Sequence, residues 1–329
     1  MNRKVYELAK MIDHSILHPT LTDEDLKREC EVALKYNVAS VCVKPYAVDQ
    51  AKELLKGSDV LVGCVIGFPA GNSAIPVKVF ETEQAIKGGA VEIDMVINIG
   101  KALGGGWSYL EQEIKAVTDA CHAGNAIVKV IFETDFVSRE EDIIKLCEIC
   151  TKVGADYVKT SSGFGFVKQA DGNYNYQGAT IPNLKLMREH SGPNVKVKAA
   201  GGVRTLDDLI AVQKAGAARC GATATAAMID EAINGATIQV FDQNGNLLYE
   251  AENTTEGFEG QFSISKEYTD SFPLEFRVIA TGGLHKGDPF QGKLICDTRK
   301  WPKEIIGLNP VTTLISRYRD YHPKLSSEE

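Results

Sequence analysis

Short runs of β-branched and other apolar residues alternate with longer stretches of helical period along most of this chain. Eight such runs predict strands: Met11–Ile16, Ala39–Val43, Val60–Gly67, Val91–Ile97, Ile127–Glu133, Tyr157–Thr160, Val195–Ala200 and Ala218–Ala222. Most are apolar at consecutive rather than alternate positions, as strands covered by helices on both faces should be. Apolar residues at three- and four-residue spacing predict helices between them, over Thr22–Tyr36, Ala47–Leu55, Lys78–Lys87, Tyr109–His122, Arg139–Val153, Asn183–His190 and Leu206–Ala215. Thr22 and Ser138 stand where N-caps belong, each followed by acidic residues in the first turn. Gly154 and Gly216 stand at the far ends, where a left-handed residue closes a helix.

Alternating strands and helices of this number point to a parallel (β/α)8 TIM barrel. An open doubly wound sheet is the alternative, and the strand count favours closure. Near residue 235 the pattern changes. Thr237–Asp242 alternates at period two, Asp242-Gln-Asn-Gly-Asn signals a hairpin, and further strand-like runs follow at Leu247–Ala251, Gly260–Ser265, Leu274–Ala280 and Phe290–Cys296. This predicts a small all-β sandwich over 235–329 behind a barrel over 1–234. A short helix over Val311–Tyr321 closes the prediction, and Ser326–Glu329 is expected to be disordered.

Charge and composition narrow the function. A formal net charge of −8 without any basic run argues against nucleic acid, whose phosphates need clustered Lys and Arg. No apolar stretch approaches the ~20 residues that span a bilayer. The first residues lack the apolar core of a signal peptide, so the expected location is the cytoplasm. The eight cysteines are scattered through apolar runs, which suits a reducing compartment. Cys147 and Cys150 form a C-x-x-C, but inside a helical pattern and without a second pair, so helix packing is the expectation.

Barrel active sites form at the C-terminal ends of the strands, and several strand ends here carry ionisable groups. Lys159 lies inside a predicted strand, where an ammonium is costly unless paired or neutralised. Lys198 occupies the matching place one predicted strand further on. Lys196 shares its face by period two, and depth in the strand favours Lys198. Two lysines brought together by neighbouring strands repel, so one loses its proton near neutral pH and becomes the free amine a Schiff base requires. Asp94 ends another strand, where a carboxylate can shuttle protons or orient the lysines. Lys129 and Glu133 share one face of a fourth strand and suggest an inward ion pair. An inward salt-bridge layer that merely holds the barrel is the competing reading for each group alone. The joint presence of two lysines and an aspartate favours chemistry. Glycine turns after the last two strands, at Gly201–Gly202 and at Gly221, let backbone N–H groups approach an anion and suggest a phosphorylated substrate.

Ile12–Pro19, Ala39–Pro45, Val65–Asn72, Glu92–Asn98, Val128–Thr134, Val158–Gly163 and Lys198–Thr205 together resemble the deoxyribose-phosphate aldolases, a class I (Schiff-base) family. The segments occur in family order and cover nearly all of the first 234 residues. The resemblance implies a TIM barrel that reversibly cleaves 2-deoxy-D-ribose 5-phosphate to acetaldehyde and D-glyceraldehyde 3-phosphate, with no metal and no other cofactor. It implies Lys159 as the Schiff-base lysine, Lys198 as the lysine that depresses its pKa, and Asp94 as the proton-relay carboxylate. It also implies Gly201, Gly202 and Gly221 in the phosphate loops, with Ser161 and Gly163 near the same pocket, and Cys42 as a pocket cysteine open to aldehyde inactivation. A homodimer is common in the family.

The chain departs from the family pattern at four places. Gly221-Ala-Thr-Ala supplies only Thr223 as a hydroxyl in the last phosphate loop. His18 stands where many members carry a lysine, and His14 and His18 lack a third ligand for a metal. Asp171–Gly178 reads as a polar, hairpin-like insertion beside the phosphate side. The predicted sandwich resembles a carboxypeptidase-regulatory-like or immunoglobulin-like module, with no partner legible and natural and artificial fusion both open. Two alternatives to the aldolase reading stay open: a lysine aldolase of different acceptor specificity, such as a transaldolase-like protein, and a catalytically silent barrel carrying a binding module.

Overall fold

A computed structural model of the chain describes residues 3–168, 172–231, 236–242, 244, 246–252, 277–282 and 293–297. Eight parallel strands close into a barrel in the order β1-β10-β9-β6-β5-β4-β3-β2. They are β1 (Ile12–Ile16), β2 (Ser40–Val43), β3 (Leu61–Ile66), β4 (Glu92–Val96), β5 (Ile127–Ile131), β6 (Tyr157–Lys159), β9 (Lys196–Ala200) and β10 (Ala217–Ala222). A two-stranded antiparallel ribbon, β7 (Val167–Lys168) with β8 (Tyr174–Asn175), interrupts the series after β6. Closure, not the open sheet, is thus the outcome, and each predicted strand falls within two residues of its observed limits. The consecutive apolar positions explain why, since both faces of a strand are covered: Val128 and Val130 are buried on one face of β5 and Ile131 on the other, and Val158, Val197 and Ala199 are buried as well.

The helix Asp23–Tyr36 starts as expected, with a reciprocal capping box between Thr22 and Asp25. The next cap differs. Arg139, not Ser138, is the N-cap of Glu140–Val153; its side chain makes no cap hydrogen bond to the backbone, and its guanidinium instead donates to the Asp142 carboxylate at 2.8 and 2.9 Å. Gly154 closes that helix at φ 79°. Cys147 and Cys150 are buried, unpaired thiols within it, with burial raising both pKa values.

A fully buried pair ties two barrel loops together. Lys78 Nζ donates to Gly71 O (2.8 Å), Val96 O (2.7 Å) and Glu113 Oε1 (2.7 Å), while Glu113 Oε2 accepts from Asn98 N at 2.8 Å. The ammonium therefore joins the loop after β3 to the end of β4, the strand that carries Asp94. Lys78→Met leaves the Glu113 carboxylate buried without a counter-charge, so a loss of about 3–5 kcal/mol is expected. Urea unfolding measures it, and Lys78→Met with Glu113→Leu should recover most of the loss. An unchanged midpoint in the single variant would show that the pair contributes nothing.

The barrel unit spans Glu7–Ala226. Further along, β11 (Ala236–Phe241), β12 (Leu247–Glu252), β13 (Arg277–Gly282) and β14 (Lys293–Asp297) form an antiparallel sheet in the order β12-β11-β13-β14. Asp242 organises the expected turn, its carboxylate accepting from Asn244 N and Asn246 N at 2.8 Å each. The expected strand at Gly260–Ser265, the helix at Val311–Tyr321 and the tail Ser326–Glu329 lie outside the described residues. No helix among the described residues is long and apolar enough to cross a membrane.

Candidate active site

Strand register assembles the charged lumen. Lys159 on β6 lies opposite Lys198 on β9, Asp94 on β4 opposite Lys129 on β5, and Lys198 opposite Arg219 on β10. The side chains meet inside the barrel. Asp94 Oδ2 accepts from Lys159 Nζ at 2.6 Å and from Lys198 Nζ at 2.7 Å. Asp94 Oδ1 has no hydrogen-bond partner, and its nearest cation is Lys129 Nζ at 3.3 Å. Lys198 also reaches Asp13 Oδ2 at 2.6 Å. Lys129 binds Asp13 at 2.7 Å and Glu92 at 2.5 Å, and Arg219 spans Asp13 and Glu92. All of these side chains are buried.

Charges in such a place must nearly balance, because each unpaired one costs several kcal/mol to desolvate. Asp13, Glu92 and Asp94 supply three negative charges. Lys129, Lys198 and Arg219 match them with three positive ones, and Lys159 is the surplus cation. Its pKa is accordingly pushed down. Burial is the first cause, Lys198 lowers it further, and Asp94 opposes both without cancelling them. Lys198 goes the other way: burial disfavours its charge, but Asp13 and Asp94 outweigh it and hold the ammonium protonated. Lys129 is likewise raised, against burial, by Asp13, Asp94 and Glu92. Asp94 is well below the usual carboxylate range, since Lys129, Lys159 and Lys198 together overcome its burial. Repulsion between the lysines, expected from the sequence as the cause, is real but ranks behind desolvation.

Lys196 shares the face of Lys198 but is exposed, its ammonium 5.7 Å from the Tyr157 ring centroid, so strand depth does separate the two. The expected Lys129–Glu133 pair does not form. Strand β5 ends at Ile131, and Glu133 lies beyond it at φ 57°. There its carboxylate accepts from Ser162 N at 3.2 Å and from the Ser162 hydroxyl. Burial, the leading cause, pushes the Glu133 pKa up to about 6 against those hydrogen bonds. Cys42 is buried with Leu17 and Val65, and Phe68 and Phe164 pack on them in an edge contact at 5.4 Å. Burial raises its thiol to about 11, so it stays protonated at neutral pH.

Around the barrel mouth, Gly163, Gly201 and Gly202 take φ values of 86°, 85° and 83°, a region that only glycine enters cheaply. Gly221 packs beside Lys198: a Cβ there would lie 3.4 Å from Lys198 Cε, at the edge of ordinary contact. Thr223 is exposed. Ser161 is buried, with its hydroxyl 3.2 Å from both Thr134 Oγ1 and Asp135 Oδ2, so it faces those side chains. The helix Leu206–Lys214 carries its own capping box, in which Asp208 accepts from Arg204 N and Thr205 N at 3.0 Å each. That carboxylate caps the helix through the N–H groups of Arg204 and Thr205, past the Gly201–Gly202 turn. His14 and His18 are not joined in a ligand set. His14 bonds Thr225 Oγ1 (2.8 Å) and Glu29 Oε2 (3.0 Å), and His18 bonds Thr20 Oγ1 (2.7 Å).

Sequence reasoning gave no role to Asp13, Glu92 or Arg219, which complete the charge balance. The available signal was the same one that exposed Lys159: a charged residue within a buried parallel strand. Glu92 shares the face of Asp94 by period two, as Arg219 shares that of Gly221.

A closed barrel holding one lysine as a poised amine beside a lysine that stays charged is the architecture of a lysine-dependent aldolase. The chain belongs to the DeoC/LacD family of aldolases, which it matches over residues 8–238. It is 47% identical over 227 residues to the deoxyribose-phosphate aldolase of Rhodopirellula baltica, covering 69% of this chain and 90% of that protein. With the deoxyribose-phosphate aldolase of Clostridium perfringens (strain SM101) it shares 48% identity over 231 residues, covering 70% and 98%. Among solved structures, the tetrameric deoxyribose phosphate aldolase from Aeropyrum pernix superposes with a TM-score of 0.62 at 25% identity, covering 69% of this chain and 91% of that one.

Proposed function

We propose that the barrel is a deoxyribose-phosphate aldolase, reversibly cleaving 2-deoxy-D-ribose 5-phosphate to acetaldehyde and D-glyceraldehyde 3-phosphate. The observation that carries the proposal is Lys159, a buried amine surplus to the lumen's charge balance and 2.6 Å from Asp94. The unprotonated amine adds to the C1 aldehyde of the open-chain sugar, and loss of water gives a protonated imine. A base removes the C3 hydroxyl proton. The C2–C3 electrons then move into the iminium, releasing D-glyceraldehyde 3-phosphate and leaving the enamine of acetaldehyde on Lys159. Protonation at C2 and hydrolysis free acetaldehyde and restore the amine.

Asp94 and Lys198 are placed to move these protons. Asp94 Oδ1, buried without a hydrogen-bond donor, is the acceptor open to a hydroxyl or a relaying water. Lys198 keeps its proton and can return it. Lys129 fixes Asp94 from the far side. Cys42, with Leu17, Val65 and the two phenylalanines, gives the site an apolar wall suited to the acetaldehyde methyl group. The phosphate belongs at the glycine turns, Gly201–Gly202 and Gly221–Thr223, with Gly163 beside them and Ser161 acting through Asp135. For residues 235–329 we infer a β-sandwich module, supported by the sheet β12-β11-β13-β14.

The test is reductive trapping. Incubation with acetaldehyde or the sugar phosphate and borohydride should add the corresponding alkyl mass to the intact chain, and peptide mapping should place it on Lys159. An adduct elsewhere, or none, would refute the assignment. Activity retained after removal of residues 235–329 would place the chemistry in the barrel.

A further inference from the structure

The connection between β6 and the next helix, Thr160–Thr180, is far longer than the five residues from Gly201 to Thr205 that follow β9. Typical βα loops need about 2–6 residues. Its descending arm is gripped at one point. Asp135 Oδ1 accepts from Gln177 N at 2.6 Å and from Gly178 N at 3.1 Å, while Oδ2 takes the Ser161 hydroxyl at 3.2 Å and Gly178 N at 3.1 Å. From there the arm presses on the glycine turn after β9. Ala179 N donates to Gly201 O at 3.0 Å, and a Cβ on Gly178 would lie 2.4 Å from that oxygen, so the two backbones are in direct contact. A Cβ on Gly202 would lie 3.1 Å from Gln177 O. The Tyr176 ring packs edge-on to Phe166 at 5.3 Å and covers Gly201.

The arm and the Gly201–Gly202 turn are therefore one packed unit, and Asp135 anchors it to the loop that follows β5. Asp135 itself cannot serve as a phosphate contact, since its charge has the wrong sign and both oxygens are already engaged. We propose that Asp135 is a positioning residue for the phosphate end of the substrate: by clamping Gln177 and Gly178 it presses the inserted ribbon onto Gly201 and fixes the turn that receives the anion. The proposal rests on the aldolase reading of the lumen and adds a determinant of its selectivity. Loss of the clamp should loosen phosphate binding while the lysine chemistry, on strands β6 and β9, continues.

Asp135→Ala removes the clamp, and Gly178→Ala drives a methyl group into Gly201 without altering any charge. In the full chain, each is expected to lower the selectivity for 2-deoxyribose 5-phosphate over unphosphorylated 2-deoxyribose about tenfold, measured as the ratio of the two kcat/KM values. A raised KM for the phosphorylated sugar should account for the change, with Asp135→Asn, which keeps one acceptor oxygen, in between. The ratio compares two substrates on the same preparation, so partial unfolding cancels. Borohydride trapping with acetaldehyde on Lys159 runs alongside. An adduct in parent and variants with the ratio unmoved, or with the change confined to kcat, overturns the role of Asp135 alone. No adduct in the parent overturns the aldolase reading and this inference with it.

Discussion

Lys159→Met is expected to reduce turnover by about ten-thousandfold or more, and to abolish the borohydride adduct, while leaving the protein folded. The loss follows from the nucleophile itself, because of the three lumen lysines only Lys159 has its pKa lowered, by burial first, while Lys129 and Lys198 are raised. The preserved fold follows from the charge balance. Removing Lys159 leaves Asp13, Glu92 and Asp94 facing Lys129, Lys198 and Arg219, three charges against three. A methionine fills much of the same volume and removes an amine whose protonation the lumen already resists. The urea midpoint should therefore stay near that of the parent. Turnover within tenfold of the parent would exclude Lys159 as the imine-forming group.

Lys198→Met tests the same balance from the other side. Three carboxylates would then face only Lys129 and Arg219, so protonation of Lys159 restores neutrality and its pKa rises. The reactive form is the unprotonated amine, whose fraction grows with pH. A raised pKa therefore moves the ascending limb of the pH–rate profile to higher pH. A displacement of about two units, with a roughly hundredfold loss at neutral pH, is the expected size. Lys198→Arg keeps the charge and should hold the limb near its original place even if proton transfer slows. Trapping rates as a function of pH measure the same quantity without the later steps. A limb that does not move in Lys198→Met would show that burial alone, the first cause acting on Lys159, keeps the amine free. The limb reports the coupled lumen, so the shift belongs to the cluster rather than to one residue.

Much of this was legible along the chain. Consecutive apolar positions gave the eight buried strands, since a parallel strand is covered on both faces, and a charged residue inside such a run stood out against that background. Lys159, Lys198 and Asp94 were found in this way. Local chemistry was legible where the partners lie within one turn, as with Thr22 and Asp25. It failed at Ser138: the helix starts one residue later, with Arg139 as N-cap, and the guanidinium donates to the Asp142 carboxylate in the first turn rather than accepting from a backbone N–H. Glu133 was assigned to Lys129 by period two. The strand ends two residues earlier, so alternation no longer applied to it.

The sequence by itself determined the alternation of buried strands and helices, the change of texture near residue 235, and which charged side chains must be neutralised or paired inside the barrel. Only the tertiary structure decided which partners they take. Closing β1 against β10 brings Asp13 and Arg219, 206 positions apart, into one lumen with Glu92 and Lys129. It likewise decided that the segment after β6 folds back on Gly201 under the grip of Asp135. The reason is that burial is written in local hydrophobic pattern, whereas a charge balance is a sum over every group that closure brings within a few ångströms.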